Sequence, residues 1–252
     1  MEAGGVAQLP VDVTSLYLLG RWRLVLHGAE TEIPGATQRL VALLALRGSS
    51  SRSRVAQLLW PDRPAAEARA LLRNSLWRTG QSGSDGLSGN GLLRVDPHEL
   101  SLRSGVTVDT WALERTAHQL TDGSGHDLLP ALVAAELVEA GDLLDGWYDN
   151  WVLEERERLS ALRLRALEVL AGRCFAHGRF SEALAAAEAA TRLDPLRDGP
   201  AMIAMRVHLA EGNPVLAVRC FDDLKARLWR ELQVEPDPRC RELVLPYLPA
   251  SS

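Results

Sequence analysis

The chain has 252 residues and is poor in several things. It holds three cysteines, Cys174, Cys220 and Cys240, an odd and widely spaced set without a secretory leader. That excludes a disulfide framework and points to a reduced, cytoplasmic protein. No apolar run approaches the roughly 18 residues a membrane span needs, so no membrane partner is expected. The N-terminal stretch MEAGGVAQLP has no basic region followed by an apolar core and is not an export signal. Lysine is nearly missing, with Lys225 the single case, so arginine carries the positive charge. Biased codon usage accounts for most of that skew, although guanidinium groups also suit bidentate contacts to phosphate and guanine. What is present is ample apolar material: 46% hydrophobic against 24% charged residues excludes a disordered tail and provides for one large core or two smaller ones. Two are expected at this length.

A net charge of −5 argues at first against a polyanionic partner, but the total hides a division. Residues 1–110 carry 12 Arg and 10 acids, whereas residues 111–252 carry 16 Lys+Arg and 23 acids. Within 36–80, eight arginines (39, 47, 52, 54, 63, 69, 73 and 78) face only Asp62 and Glu67. The first part therefore contains a basic island, and the second is acidic.

From Leu16 the chain reads LYLLGRWRLVLHGAETEIP, two short β-forming runs with His27-Gly28 as a turn and Pro34 as a stop, which predicts a small antiparallel sheet. Thr37 is a candidate cap for a helix through Leu40, Val41, Leu43, Leu44 and Leu46 that Gly48 ends. Ser53 is a candidate cap for a short helix, RVAQLLW, halted at Pro61, and a third helix is predicted over 65–78, ended early by Thr79-Gly80. The stretch 80–91, GQSGSDGLSGNG, is Gly/Ser-rich and lacks the Gly-Lys-Ser/Thr ending of a phosphate-binding loop. LLRV (92–95) and LSLR (100–103) flank Asp96-Pro97-His98-Glu99, a hairpin signal. Sheet, three helices and hairpin, in that order, is the layout of a winged helix-turn-helix. Beyond Val108 the pattern is helical: 111–120, about 128–140, and 151–176. Gly178-Arg179-Phe180 with Ala183 is echoed by Gly212-Asn213-Pro214 with Ala217, an offset of 34 residues, the period of tetratricopeptide helix pairs. Stacked acidic helices of this kind commonly bind protein.

The third helix carries the sharpest functional signal. At 3.6 residues per turn, Ala68, Leu71, Leu72, Ser75 and Leu76 share one face, while Arg69, Arg73, Asn74 and Trp77, with Arg78 at the margin, share the other. Arg and Asn are the side chains that pair bidentately with guanine and adenine edges in the major groove. Arg52 and Arg54 begin the preceding helix, where such a fold crosses the phosphate backbone, and His98 stands at the tip of the wing. An ordinary solvated face would also be rich in arginine, but not in tryptophan. The other chemistries find little support. Glu154, Glu155 and Glu157 read as a solvated ion-pair surface rather than a catalytic set. Cys174 and His177 have a C-x-x-H spacing but no second pair, so no metal is expected, and no Gly-x-Ser-x-Gly elbow exists. No cofactor and no enzymatic activity are expected.

The strings QRLVALLALRG, SRSRVAQLLWPD, EARALLRNSLWR and LLRVDPHELSLRSGVTVD resemble the winged-helix domain of the actinobacterial antibiotic-regulatory activators. DGWYDNWVLEERERLSALRLRALEVLA, GRFSEALAAAEAATRLDPLRD and the ending ELQVEPDP resemble the bacterial transcriptional activation domain that follows it. The resemblance covers about 15–245. It implies a mainly α protein: a disordered N-terminus (1–14), a winged helix-turn-helix (15–108), and an all-α, tetratricopeptide-like activation domain (109–248). It implies an activator that binds direct repeats in double-stranded promoter DNA, as a homodimer on its site, and recruits RNA polymerase to a secondary-metabolite (antibiotic) gene cluster. By the same resemblance Pro61, Asp62, Arg63 and Pro64 meet polymerase, and the protein is nucleoid-associated and a short, stand-alone member. The rival reading is a non-DNA-binding helical-repeat adaptor with a degenerate winged helix, which the early helix stop and the acidic total favour.

Overall fold

A computed structural model describes residues 14–81, 92–123 and 131–248. Residues 1–13 of the N-terminal expectation for 1–14, most of the Gly/Ser-rich stretch and the helix start near Leu128 fall outside them, while Thr14 already belongs to a strand. Contacts divide the chain into two compact units, Met1–Ala112 with Gly141–Glu157, and Leu113–Ala140 with Arg158–Ser252.

The first unit opens with strands β1 (Thr14–Tyr17), β2 (Arg23–Leu26) and β3 (Ala29–Glu30). His27 (φ 50°) and Gly28 (φ 80°) are both left-handed, the backbone that a two-residue hairpin turn matched to strand twist requires. β1 also pairs in parallel with β7 (Val106–Val108), giving the sheet order β3-β2-β1-β7. That long-range partner leaves no trace in local sequence pattern.

Helices α1 (Gly35–Arg47), α2 (Arg52–Leu59) and α3 (Ala65–Gln81) follow. Two caps differ from expectation. α1 begins at Gly35 after Pro34, so Thr37 lies inside the first turn and is buried instead of capping. α2 is capped by Ser51, whose hydroxyl accepts from Arg54 N–H at 3.3 Å, two residues before the expected Ser53. α3 also runs on through Thr79 and Gly80 to Gln81, so the early stop is overturned. A single glycine weakens a helix by about 1 kcal/mol, which the packed first half of α3 tolerates.

β4 (Ser50–Ser51), β5 (Leu93–Val95) and β6 (Glu99–Leu102) form a second sheet in the order β4-β6-β5, with β5 and β6 as the expected hairpin. Leu40, Leu43 and Leu44 of α1, Val55 of α2, Leu72 of α3, and Leu92 and Leu100 of the wing are at most 2% exposed and make the core beneath it.

Residues 141–157 complete this unit. Leu143, Leu144, Trp151 and Val152 are buried in it. The Arg156 guanidinium donates to the carbonyls of Leu143, Leu144 and Trp147 at 3.0–3.1 Å, which fixes the loop between them. Trp147 stacks on Trp22 with ring centroids 6.1 Å apart, and Asp149 pairs with Arg39 at 3.1 Å. Asp109 ties β7 back to the sheet: its carboxylate accepts from the N–H groups of Leu18, Leu19 and Thr110. Burial nonetheless pushes its pKa up.

The second unit is helical. It takes in most of α4 (Asp109–Thr121), α5 (Ala131–Glu139), the larger part of α6 (Asn150–Ala176), then α7 (Phe180–Leu193), α8 (Asp198–Ala210), α9 (Pro214–Leu232) and α10 (Pro238–Val244). The 34-residue echo has a structural counterpart. Gly178 (φ 71°) and Gly212 (φ 76°) end helices in the same left-handed conformation. At the first turn, the N–H groups of 178 and 179 donate to the carbonyls of 175 and 174; at the second, those of 212 and 213 donate to 209 and 208. Ala183 and Ala217, each five residues on, are fully buried.

Candidate nucleic-acid interface

α2, the bend at 60–64 and α3 form a helix-turn-helix, with the β5–β6 hairpin as its wing. α3 packs on both α1 and α2. Its inner face is built from Ala68 (2% exposed), Leu72 (2%) and Ser75 (6%), as the helical spacing dictates. Arg69, Arg73, Asn74 and Trp77 are consequently turned to solvent together. Trp77 is 64% exposed, a large apolar surface left uncovered beside two guanidinium groups and an amide. Arg78 lies in the same helix, with its side chain outside the described residues.

The eight arginines of the basic island have separate fates. Arg39 is held by Asp149 at 3.1 Å, and Arg47 by Glu155 at 2.7 Å and Glu154 at 2.6 Å. Arg63, in the bend, pairs with Glu67 in the first turn of α3 at 3.1 Å. Arg52 donates through Nε to the Asp96 carbonyl at 3.1 Å, and its backbone N–H to the His98 carbonyl at 3.2 Å, so it braces the wing turn from the start of α2. Arg69 donates through Nε to the Ala65 carbonyl, which steers its guanidinium while leaving it exposed. Arg54 and Arg73 are exposed and enter no ion pair among the described residues. Structure thus concentrates the unpaired charge on α2 and the outer face of α3.

His98 is exposed in the wing turn, on the opposite end of the Arg52 brace. The wing adds two cations that the sequence reading passed over, Arg94 and Arg103, both exposed. Arg94 follows the buried Leu92 and Leu93, and Arg103 lies just past β6, three residues beyond the buried Leu100. Arg94 pairs with Asp96 at 3.0 Å. Pro61, Asp62, Arg63 and Pro64 are all exposed at the bend, beside a cavity of about 210 Å³ lined by Ser53, Gln57, Trp60 and Arg69.

Of the three carboxylates near the start of α6, Glu155 alone departs from the expected solvated ion-pair surface: it is 7% exposed and holds Arg47 at 2.7 Å, whereas Glu154 pairs with Arg47 while exposed and Glu157 is exposed. All three cysteines are free thiols, and among the described residues no group of three His, Cys, Asp or Glu could hold a metal ion. No helix among them is long and apolar enough to cross a membrane.

A winged helix-turn-helix joined to an all-helical unit with repeated helix turns is the layout of a transcriptional regulator. Residues 108–245 match the bacterial transcriptional activator domain, and the chain belongs to that family. The family is one of transcriptional regulators and not of enzymes. No curated protein is significantly similar to the chain in sequence. Among solved structures, Mycobacterium tuberculosis EmbR, in complex with a low-affinity phosphopeptide, shares the fold with a TM-score of 0.70 at 19% identity, over 94% of this chain. The chain spans 66% of EmbR's length in that structure, just under two thirds.

Proposed function

We propose that this regulator is a sequence-specific DNA-binding activator, with α3 as the recognition helix in the major groove. The observation that carries the reading is the outer face of α3: Arg69, Arg73, Asn74 and the 64%-exposed Trp77 stand clear of the core while other arginines of the same island are tied up. Arg73 and Asn74 read base edges, Arg69 and Arg78 flank them, and Trp77 packs against the sugar-phosphate wall. Arg54 grips phosphate, Arg52 sets the wing, and His98 enters the neighbouring groove. The adaptor alternative leaned on a shortened recognition helix, and α3 reaches Gln81.

The function extends to direct repeats occupied by two copies beside a promoter, to recruitment of RNA polymerase through the exposed bend Pro61–Pro64, and to control of a secondary-metabolite gene cluster. In this scheme residues 15–108 recognise DNA and residues 109–248 serve activation, with the protein at the nucleoid. Fragments selected from genomic DNA by the purified protein supply the site. On that site Arg73→Ala is expected to cost about 1–3 kcal/mol in a gel-shift titration; undiminished binding removes Arg73 from the interface. Transcription reconstituted with purified polymerase tests recruitment: replacing 61–64 with Gly/Ser is expected to abolish activation without loss of DNA binding.

A further inference from the structure

Faces of α7, α8 and α9 in the second unit enclose an open cavity of about 310 Å³. Its apolar floor is made of small residues, Ala201 and Ala204 of α8 and Cys220 of α9, and their size is what leaves the space. Two of its lining residues, His208 and Arg227, each carry a buried nitrogen, Nδ1 and Nε, without a hydrogen-bond partner among the described residues. A buried polar nitrogen without a partner is unfavourable; the Arg227 guanidinium is donor-only and His208 donates when Nδ1 carries the proton, so an acceptor at the cavity suits both. An acceptor facing both a guanidinium and an imidazole is best supplied by a carboxylate.

The cavity is not simply basic. Arg192 and Arg227 are matched by Glu188 and Asp223, so its formal charge is zero and a bare anion gains little from entering. The charges converge: Glu188, Asp223 and Arg227 all act on the Cys220 thiol, which burial keeps protonated. A ligand that uses every group presents a carboxylate to Arg227 and His208, an ammonium to Glu188 and Asp223, and an aliphatic body to the alanine floor. The volume lies at the lower end of the range for small-molecule sites, about 300–1,000 Å³, which suits a molecule of amino-acid size and not a nucleotide.

We propose that the groove between α7, α8 and α9 is a binding site for a small aliphatic zwitterion, an α-amino acid or a molecule of the same charge pattern. The site lies in the helical unit and stands independently of DNA recognition by α3.

The test uses the full chain and a panel of aliphatic α-amino acids (valine, leucine, isoleucine, norvaline, methionine), each beside its des-amino acid and its decarboxylated amine. Melting curves and the methyl resonances of Ala201 and Ala204 are followed at up to millimolar concentrations. At least one amino acid is expected to raise the melting temperature saturably and to shift both methyls, with its two truncated analogues binding more weakly. Arg227→Gln is expected to weaken Kd by about tenfold or more, the loss of one charge-assisted contact. Ala204→Leu, which fills the floor, is expected to abolish binding and is read by its own ligand-free melt, so one variant remains informative if the other does not fold. Absence of binding by every amino acid in the panel overturns the proposal, with water alone serving the two nitrogens. So does binding that survives both folded variants, or a des-amino acid that binds as tightly as its parent.

Discussion

Arg47 and Arg73 lie in one basic stretch of sequence and do opposite things. Arg47 is clamped between Glu154 and the nearly buried Glu155, whereas Arg73 stands in solvent on the outer face of α3. Nothing in the local sequence separates them, because the partners of Arg47 lie more than 100 residues away; the separation to Glu155 is 108. Removing Arg47 takes a charged hydrogen-bond partner from the nearly buried Glu155, so Arg47→Ala is expected to cost about 1–3 kcal/mol, seen as a lowered urea midpoint at constant slope. Arg73→Ala is expected to leave that midpoint within about 0.5 kcal/mol, since exposed substitutions away from packed features do little. The pair of measurements separates folding arginines from binding arginines. At this scale the helical wheel of α3 was legible, for amphipathic spacing is local, and the role of Glu155 was not, for its meaning is tertiary.

Among elements, those written in short-range chemistry could be read directly: the His27-Gly28 turn, the β5–β6 hairpin and the two glycine-ended helices. Caps were read less well, since Ser51 and Ser53 are equally plausible by type and only the placement of β4 decides between them. The parallel β1–β7 pairing had no local signature at all. The Gly178 and Gly212 turns allow a direct comparison. Neither position offers a steric obstacle to a Cβ, so replacement by alanine tests backbone conformation alone. Each substitution is expected to cost about 1–2 kcal/mol by chemical denaturation, and by the same amount at both sites. A third element, α10, is capped by Asp237, which accepts from the Arg239 N–H at 2.9 Å and pairs with its guanidinium. The Arg239 side chain lowers the Asp237 carboxyl from 3.8 to about 2. A folded value below the unfolded one means the cap's contribution is complete above about pH 4 and disappears as the pH falls toward 2. A carboxyl-detected NMR titration of the folded chain is expected to place Asp237 at the bottom of that window.

For the whole molecule, the net charge of −5 misleads because its two signs are kept apart along the chain. If α3 binds DNA as proposed, the arginines left unpaired on α2 and α3 set the salt response. Two phosphate contacts, by Arg54 and Arg69, correspond to a slope of log K against log salt near about −2 per protomer, and each Arg→Ala substitution at a phosphate contact is expected to flatten it by about 1. A salt-independent affinity removes the electrostatic reading. The clamp that joins Arg47 to Glu155 also bears on how the protein is made. A ribosome adding about 5–20 residues per second reaches Glu155 roughly 5–20 s after it has incorporated Arg47. In the later part of that interval, once residue 102 has been added, the nascent first unit has its three helices and wing but not the segment 141–157 that completes its core. Its maturation therefore waits on translation well beyond the wing, and a message truncated before codon 154 yields a winged helix whose Arg47 has neither of its acids.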